Sequence, residues 1–403
     1  MKVFLVPPPA LALPAVKGGA VETLITHLME ENEIQQKLEL VCVSLPDPDA
    51  EQAALRYRHT RLYYLPAQPL RQKLWGPVCG QLRRMKRPAP LDCWYNQVLR
   101  AVQAEQPDLV VTEGGDLTET QMISQVMGRD RCFAHLHMQL KATPLLERMY
   151  GNILAISQFV ADSYQPTRPV RVHLVPNCVD LARFSPRPAF VGEQEDLRRR
   201  LGFEKEDFVL LFCGRICPEK GIHHLIEALG LLPDPRIKLL VIGSPFFAAE
   251  DSSPFFEQLK EKQKALQGRL VFTGFVPNDQ LPAYYRMANV ACFPAVWDEP
   301  AGITAIEAMA CGCPVIATQS GGMPEYLEGS DAILLPRDQR IREDGSLEEL
   351  PGAPALPQSI AQAVEQLRAD PRRAADMSAA GCRRAQDFSR QAYYQNFVAA
   401  LKR

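Results

Sequence analysis

The chain has 403 residues with a hydrophobic fraction of 46% and a charged fraction of 23%, which excludes a disordered chain and suits two globular domains. Its 45 Lys and Arg against 47 Asp and Glu give a formal net charge of -2, so nucleic acid is excluded as a partner on charge and any anion site must be local. The 11 cysteines are scattered singly, many within apolar runs, as expected of buried thiols in a reducing cytoplasm.

The first 16 residues are apolar but are interrupted by several prolines. They lack the charged leader and the unbroken apolar core of a signal peptide, so we interpret them as a β-strand followed by a loop. No run of about 18 apolar residues is found in the sequence, and no membrane-spanning helix is predicted.

Short apolar, β-branched runs alternate with helical patterns in the first half of the chain. Helices are predicted, for instance, over residues 20–33 and 94–105. Alternation of this kind indicates a parallel sheet covered on both faces. The predicted strands are KVFLV, LELVCVS, RLYYL, DLVVTEG, RCFAHLH, NILAIS and VRVHLVP.

A second alternation follows a stretch rich in proline and charge near residue 186, and a last amphipathic helix is predicted over residues 389–403. We therefore predict an α/β protein of two Rossmann-like doubly wound domains, residues 1–185 and 186–388, that face a central cleft. The strands predicted for the second domain are FVLLFCGR, IKLLVIGS, RLVFTGFV, NVACFPAV and PVIATQS, and the helices are 219–231, 255–267, 279–288 and 304–310.

The most informative segment covers residues 293–325. A predicted strand ends at Pro294, a loop carries Glu299, and Gly302 opens a helix. The N–H groups of the first helical turn, at Ile303 and Thr304, point outward with the positive end of the helix dipole. This arrangement is a ready phosphate site.

Glu307 lies within that helix among apolar neighbours. A carboxylate is costly to bury there unless it is hydrogen-bonded, so it either accepts hydrogen bonds from ligand hydroxyls or is satisfied by the protein or by solvent. Its place beside a glycine-opened helix and a second acid favours the ligand role. Glu299, in the preceding loop, could accept a hydrogen bond from a hydroxyl at the reacting end of the same ligand. The alternative is that Glu299 is a solvated loop acid.

Two cations, Arg215 and Lys220, follow the predicted strand that ends at Gly214. A planar guanidinium and a compact ammonium at the carboxyl end of a strand suit a diphosphate. The alternative interpretation is that both residues are ordinary surface cations.

In the first half, Gly18 and Gly19 precede a predicted helix, where glycine lets the backbone approach a ligand closely. The dinucleotide fingerprint GxGxxG is missing there. His135 and His137 lie at the carboxyl end of a predicted strand, and the alternation of side chains puts both on the same face of that strand. We favour His137 as the functional one, because it lies nearer the strand end, and His135 as a core histidine.

No metal site is predicted. The cysteine pairs 213/217 and 311/313 lack a second pair at zinc-ligand spacing, and we interpret the proline-flanked Asp47–Asp49 pair as a turn. The two cations and the helix start supply the positive charge that a divalent ion would otherwise bring to a diphosphate.

These segments together resemble the retaining glycosyltransferases of glycosyltransferase family 4, the group 1 glycosyltransferases of GT-B architecture. The resemblance covers most of the chain and is most specific over residues 175–327. The sequence departs from the family pattern at Cys178, where glycine is usual, and at Pro300-Ala301, where Gly-Phe is frequent. The segments that carry it are VPNCVDLARFSP, GRICPEKG, the E-x7-E segment in DEPAGITAIEAMACGCPVIAT, and KGGA.

The resemblance implies a role for each matching residue of the second domain. Arg215 and Lys220 hold the donor diphosphate, Glu307 binds the ribose, and Glu299 binds hydroxyls of the transferred sugar. The loop that begins at Val276 contributes to donor binding and specificity. The backbone amides that meet the phosphates are those of Gly302, Ile303 and Thr304.

In the first domain, the resemblance places His137 near the sugar and Gly19 near donor phosphate or acceptor. It implies a retaining, metal-independent transfer of a hexose-type sugar from a UDP- or GDP-linked donor, with no further cofactor. The implied acceptor is a glycan, a lipid-linked or a small molecule, in cell-surface polysaccharide or glycoconjugate synthesis. We expect the protein in the cytoplasm or on the inner face of the membrane.

Three other functions are weighed against this one. A non-hydrolysing sugar-nucleotide epimerase shares the architecture, but the E-x7-E segment argues against it. A non-catalytic sugar-nucleotide or glycan-binding protein is disfavoured because the acids and cations of the motifs are all present. A dinucleotide oxidoreductase is the least favoured function, since the glycine fingerprint is missing.

Residues 68–87 interleave basic side chains with Leu, Trp and Met. This pattern fits contact with an anionic bilayer or with the acceptor. The alternative is a solvated loop that packs its apolar side on the domain, because Gly76 and Pro77 break any helix.

Overall fold

The structure, a computed structural model, describes residues 1–66, 81, 94–245, 253–266, 268–342 and 344–402. The chain divides into two compact units. Unit 1 comprises Met1–Cys178 together with Arg390–Arg403, and unit 2 comprises Val179–Ser389. The sequence placed this division a few residues later, after residue 185.

Unit 1 is built on a parallel sheet of seven described strands in the order β3-β2-β1-β4-β5-β6-β7. The order reverses between β1 and β4, which are paired directly. In a doubly wound sheet, ligands bind outside the carboxyl ends of the strands at this switch point. The strands are β1 (Lys2–Val6), β2 (Glu39–Ser44), β3 (Thr60–Tyr64), β4 (Leu109–Glu113), β5 (Cys132–Leu136), β6 (Asn152–Ala155) and β7 (Arg171–Leu174).

Helices connect these strands and bury apolar faces against the sheet. Several begin at a side-chain cap. Ser157, for example, accepts a hydrogen bond from the amide of Val160 at 3.1 Å. The described helices of this part are α1 (Ala20–Gln35), α2 (Pro48–Ala54), α3 (Trp94–Glu105), α4 (Gln121–Met127), α5 (Pro144–Met149) and α6 (Gln158–Ser163).

Unit 2 repeats the plan with a parallel sheet of six described strands in the order β10-β9-β8-β11-β12-β13. Its switch point lies between β8 and β11, which are also paired directly. The loops that leave these two strands therefore flank the place where a ligand is expected. The strands are β8 (Phe208–Cys213), β9 (Ile237–Ile242), β10 (Leu270–Gly274), β11 (Val290–Phe293), β12 (Val315–Thr318) and β13 (Ile333–Leu335).

The helices of unit 2 cover this sheet, whose four central strands are almost wholly buried and rich in Val, Leu and Ile, while the edge strands β10 and β13 are partly buried. This composition is typical of parallel strands covered on both faces. The described helices are α7 (Glu193–Arg200), α8 (Ile222–Leu231), α9 (Pro254–Ala265), α10 (Leu281–Met287), α11 (Ile303–Ala310), α12 (Met323–Leu327), α13 (Leu356–Ala369) and α14 (Pro371–Ala385).

Two further elements complete the two units. An antiparallel hairpin of β14 (Gln339–Ile341) and β15 (Leu347–Glu349) follows β13 in unit 2, and the sequence did not predict it. The last helix, α15 (Arg390–Leu401), belongs to unit 1 and buries Tyr393, Tyr394 and Phe397 in the core of that unit.

Two local predictions were wrong. The helix predicted from residue 219 begins instead at Ile222, because Gly221 has a φ of +71° that ends a short 3-10 turn, Pro218–Lys220. The Asp47–Asp49 segment is not an isolated turn. Asp47 caps α2 by accepting a hydrogen bond from the amide of Asp49 at 3.0 Å.

No helix in the described ranges combines the length and apolar character needed to cross a membrane. The predicted membrane or acceptor segment, residues 68–87, lies outside the described residues apart from residue 81.

Gly221 gives a test of how tightly unit 2 is packed at this turn. A Cβ at this position would overlap the carbonyl oxygen of Pro294, and φ is positive. We expect Gly221→Ala to lower the free energy of unfolding by at least about 2 kcal/mol in urea denaturation.

Gly230 is the matched control for this substitution, because it lies in the same helix, is exposed and has open space around it. Gly230→Ala should raise the free energy of unfolding by up to about 1 kcal/mol. Equal effects of the two substitutions would contradict the packing described at Gly221.

Candidate active site

Lys220 and Glu299 come from the two loops that flank the switch point of unit 2. Lys220 follows β8, Glu299 follows β11, and the Lys220 ammonium pairs with the Glu299 carboxylate. Trp297 completes the group, since its indole N–H donates to Glu299 at 3.0 Å and its ring centroid lies 5.2 Å from the Lys220 ammonium. The structure thus brings together two predicted site residues and adds Trp297.

The backbone of Glu299 is held by the loop after β12. Its N–H donates to the hydroxyl of Ser320 at 3.0 Å, and its carbonyl accepts from the N–H of Gly322 at 2.8 Å. Gly321 has a φ of +52°, and a Cβ there would overlap the Glu299 carbonyl oxygen. Only glycine therefore allows this close approach, which fixes where the Glu299 side chain starts.

The hairpin segment supports the same loop from the other end. Arg337 pairs with Asp298 at 2.8 Å and donates to the carbonyl of Trp297 at 3.1 Å. The N–H of Ile341 donates to the carbonyl of Val296 at 2.8 Å. This support could not be predicted from local sequence patterns, because the partners lie about forty positions apart.

The first turn of α11 carries the predicted phosphate amides of Gly302, Ile303 and Thr304. No side chain caps this helix, so its leading N–H groups and the positive end of its dipole are left for another acceptor. Gly302 is buried, and a Cβ there would lie 2.6 Å from the sulfur of Met323. A side chain at this position would therefore require the Met323 side chain to move.

Glu307 lies one turn into α11 and is only 6% exposed. The hydroxyl of Tyr285 donates to it at 3.0 Å, and the amide of Asn278 donates at 3.4 Å. Burial nevertheless raises the pKa of Glu307 to about 7, although both hydrogen bonds oppose the rise. The carboxylate is therefore incompletely stabilised in its charged form and would gain from further hydroxyl donors.

The other predicted residues of unit 2 are placed as follows. Val276 is buried just before Asn278, on the segment that reaches Glu307. Arg215 is exposed and makes no side-chain hydrogen bond or ion pair within the described part of the chain. Arg215 is thus not drawn into the Lys220–Glu299 pair and keeps its guanidinium free for an anion.

In unit 1, His137 follows β5 and its Nε2 lies 3.1 Å from the carboxylate of Glu113. Gly19 precedes α1 with a φ of +95°, and a Cβ there would overlap the carboxylate of Glu22. His135 is buried, as expected, and its Nδ1 also lies against Glu113, at 2.8 Å. The structure therefore groups His137 with His135 and Glu113.

Sequence reasoning missed Glu113, Trp297, Asn278 and Tyr285. Glu113 was open to detection, because it is a charged residue at the end of an apolar strand and directly before two glycines. Asn278 and Tyr285 contact Glu307 from elsewhere in the chain, and Trp297 contacts Lys220 across two loops, so no local pattern marks these three residues.

One group in the described ranges offers three potential metal ligands close together, namely Glu113, His135 and His137, whose ligand atoms lie within 4.8 Å of one another. The described cysteines are free and mostly buried. Burial raises the pKa of thiols such as Cys292 to about 12, so these thiols remain protonated.

The raised pKa of Glu307 predicts a specific effect on stability. In the unfolded chain this carboxyl loses its proton near its ordinary pKa of 4.5, whereas the folded chain holds it until about pH 7. The contribution of Glu307 is thus favourable at low pH and is lost as pH rises through 7. We expect Glu307→Gln to be more stable than the parent at pH 8, by about 1–3 kcal/mol, and the difference to vanish below about pH 4, where the folded and unfolded chains both hold the proton.

Glu105→Gln is the control with the opposite sign. Hydrogen bonds from Tyr63 and other partners hold the pKa of Glu105 at about 2, against the effect of burial. This variant should therefore lose stability at pH 8. A Glu307→Gln variant that is less stable than the parent at pH 8 would contradict the account of Glu307.

Comparison with known proteins places these features in a family context. The model of the family described as glycosyl transferases group 1 matches residues 193–384, all within unit 2. Spore coat protein SA of Bacillus subtilis is 25% identical over 340 residues, which are 81% of this chain and 83% of that protein. The lipopolysaccharide 1,2-N-acetylglucosaminetransferase of Salmonella typhimurium is 30% identical over 198 residues, 48% of this chain and half of that enzyme.

Among solved structures, HepE of Anabaena in complex with UDP-glucose has a TM-score of 0.73 at 21% identity, over 100% of this chain and 99% of HepE. This likeness confirms the predicted fold class of two Rossmann-like, parallel-sheet domains of GT-B type. The family match in unit 2 and the relatives named above together support a group 1 glycosyltransferase.

Proposed function

We propose that this protein is a retaining glycosyltransferase that moves a hexose-type sugar from a UDP- or GDP-linked donor to a glycan, lipid-linked or small-molecule acceptor. The proposal is carried by one observation, namely that the Lys220–Glu299 pair joins the two loops at the switch point of unit 2 and that one of these loops leads directly into the uncapped start of α11. The names of relatives, which include an N-acetylglucosaminetransferase and a protein solved with UDP-glucose, add support.

The donor diphosphate is assigned to Lys220, Arg215 and the amides of Gly302, Ile303 and Thr304. Lys220 is partly buried and already paired with Glu299, so a diphosphate would share or take over this cation. Arg215 is exposed and free to close on the phosphates. The helix start adds N–H donors and the positive end of the dipole.

The ribose is assigned to Glu307. Two ribose hydroxyls would supply the hydrogen bonds that the buried carboxylate lacks, and they would lower its pKa from about 7. Val276 and the loop that follows it lie beside this carboxylate through Asn278, which suits a role in base recognition.

The transferred sugar is assigned to Glu299, whose carboxylate is oriented by Lys220 and Trp297. His137 and Gly19 of unit 1 remain predicted contacts of the sugar and of the donor phosphate or acceptor, respectively. Retention of the anomeric configuration rests on the family resemblance.

Transfer forms a bond between the acceptor oxygen and the sugar carbon and breaks the bond between that carbon and the diphosphate oxygen. The leaving diphosphate keeps the electron pair, and the proton of the acceptor hydroxyl passes to the diphosphate or to solvent. The cations and N–H groups at the switch point are in place before this charge develops, which is how preorganised donors lower a barrier. We therefore propose that transfer requires no divalent ion.

The proposed location is the cytoplasm or the inner face of the membrane. Contact of residues 68–87 with a bilayer or acceptor stays a prediction, because these residues lie outside those that the structure describes apart from residue 81. The donor sugar and base would be identified by thermal stabilisation with a panel of nucleotide sugars, since a ligand that binds only the folded state raises its stability.

Lys220→Ala tests the stabilisation of the leaving group. We expect turnover to fall about 100- to 1000-fold, the typical effect of removing one preorganised donor, while circular dichroism stays unchanged. Lys262→Ala is the matched control, because Lys262 forms an exposed ion pair with Glu227 elsewhere in unit 2. This control should keep full turnover, and the parent should keep its activity in excess chelator.

Two outcomes would contradict this account of the reaction. One is activity that chelator abolishes and a divalent ion restores. The other is a new sugar epimer formed from the donor alone, which would favour the epimerase.

Glu307→Gln tests the ribose assignment. The amide cannot accept hydroxyl hydrogen bonds at both of its terminal atoms and carries no charge. Donor binding measured by calorimetry should therefore weaken about 10- to 100-fold. Binding as tight as that of the parent would show that the ribose lies elsewhere.

A further inference from the structure

The carboxyl ends of β4 and β5 in unit 1 bring three titratable side chains together. Glu113 is the last residue of β4, next to the switch point of this sheet, and His135 and His137 come from the end of β5. Glu113 and His135 are fully buried, whereas the side chain of His137 is 11% exposed. Of the three, His137 is therefore the one that a ligand can reach.

A single oxygen of Glu113 faces both imidazoles. Its Oε2 lies 2.8 Å from Nδ1 of His135 and 3.1 Å from Nε2 of His137. Burial acts to raise the pKa of Glu113, but the charge and hydrogen bond of His135 and the hydrogen bond of His137 outweigh it and hold the pKa at about 2. An ionised carboxylate only accepts hydrogen bonds, so both facing nitrogens carry protons.

The second nitrogen of His137 is then left with a lone pair. Burial, helped by charge on His135, lowers the pKa of His137 against the opposing hydrogen bond to Glu113, which favours the neutral ring. No hydrogen bond to its Nδ1 is made within the described part of the chain. The other titratable group coupled to Glu113 is the thiol of Cys42. Burial raises the pKa of this thiol well above its usual range, so the thiol adds no charge.

The geometry points to Glu113 as a positioning residue for His137. Glu113 accepts a hydrogen bond from Nε2–H of His137 through the same oxygen that His135 contacts. This hydrogen bond fixes the tautomer and the ring orientation of His137. His137 then presents Nδ1 as an acceptor for a hydroxyl of the transferred sugar. This inference rests on the proposed function for the identity of the ligand. The hydrogen bond made by one imidazole nitrogen sets the state of the other.

A metal ion held by the same three residues fits the geometry less well. The separations of 2.8 and 3.1 Å are hydrogen-bond lengths. A metal-ligating imidazole donates its other N–H to a partner, whereas Nε2 of His135 is buried without one among the described residues.

The protonation pattern is measurable on the full-length protein without any substrate. In ¹⁵N-histidine-labelled protein, assigned with His135→Gln and His137→Gln, we expect His137 to be protonated at Nε2 and not at Nδ1, and His135 to be protonated at Nδ1. A His137 protonated only at Nδ1 would overturn the inference. So would one equivalent of Zn²⁺ that removes both facing protons, which would make the group a metal site.

Kinetics test whether Glu113 acts through His137. Glu113→Ala should lower kcat/KM for the donor about 10- to 100-fold, because His137 is then no longer held in the orientation that bonds the transferred sugar. Glu113→Gln keeps an acceptor oxygen without the charge, so its activity should lie between that of the parent and that of Glu113→Ala. The double variant Glu113→Ala/His137→Ala should lose no more than His137→Ala alone.

Glu105→Ala is the control, since it removes another buried carboxylate of unit 1 and should alter stability without altering kcat/KM. If the activity losses of the two single variants multiply in the Glu113/His137 double variant, Glu113 acts independently of His137 and is merely structural. If no donor is turned over at all, the proposed function fails, and the protonation pattern alone decides the role of Glu113.

Discussion

The ion pair between Lys220 and Glu299 joins the two loops that leave the sheet of unit 2 on either side of its switch point. Strands that diverge there open a space at their carboxyl ends, and charged side chains can meet in it without full burial. The pair is partly exposed, so its own contribution to stability is small. Its importance lies in placing an ammonium and a carboxylate, already oriented, beside the uncapped start of α11.

Glycines set the distances around this pair. Gly221 packs against the carbonyl of Pro294, Gly321 against the backbone of Glu299, and Gly302 against Met323. At each position a Cβ would push apart two segments that must stay close for the charged side chains to meet. At Gly221 and Gly321 the contact is between backbones, which is stiffer than side-chain packing and preorganises the site. A buried acid, Glu307, is tolerated in its midst with a pKa of about 7, a local cost that is typical of binding sites.

Most strands could be predicted from the sequence, because parallel strands buried on both faces are short apolar runs. Lys220 and Glu299 stand out in such a pattern as charged residues after apolar strands, and Glu307 stands out as an acid among the apolar residues of a helix. Trp297 and Tyr285 could not be predicted, because contacts between segments distant in the sequence leave no local periodicity. The start of α8 was predicted too early, since the positive φ of Gly221 depends on its tertiary neighbours. Glu113 carried a local signal as an acid at the end of an apolar strand, but only the fold shows that it meets His137.

The central claim is that Glu307 receives the ribose of a nucleotide-diphosphate sugar. Calorimetric titration with the best-binding UDP- or GDP-sugar, in buffers of different ionisation enthalpy between pH 6 and 7.5, tests it most directly. Ribose hydroxyls that bond the carboxylate must lower its pKa from about 7, so the account predicts that donor binding releases a fraction of a proton and that Glu307→Gln releases none. Binding of the donor without proton release in the parent would contradict it.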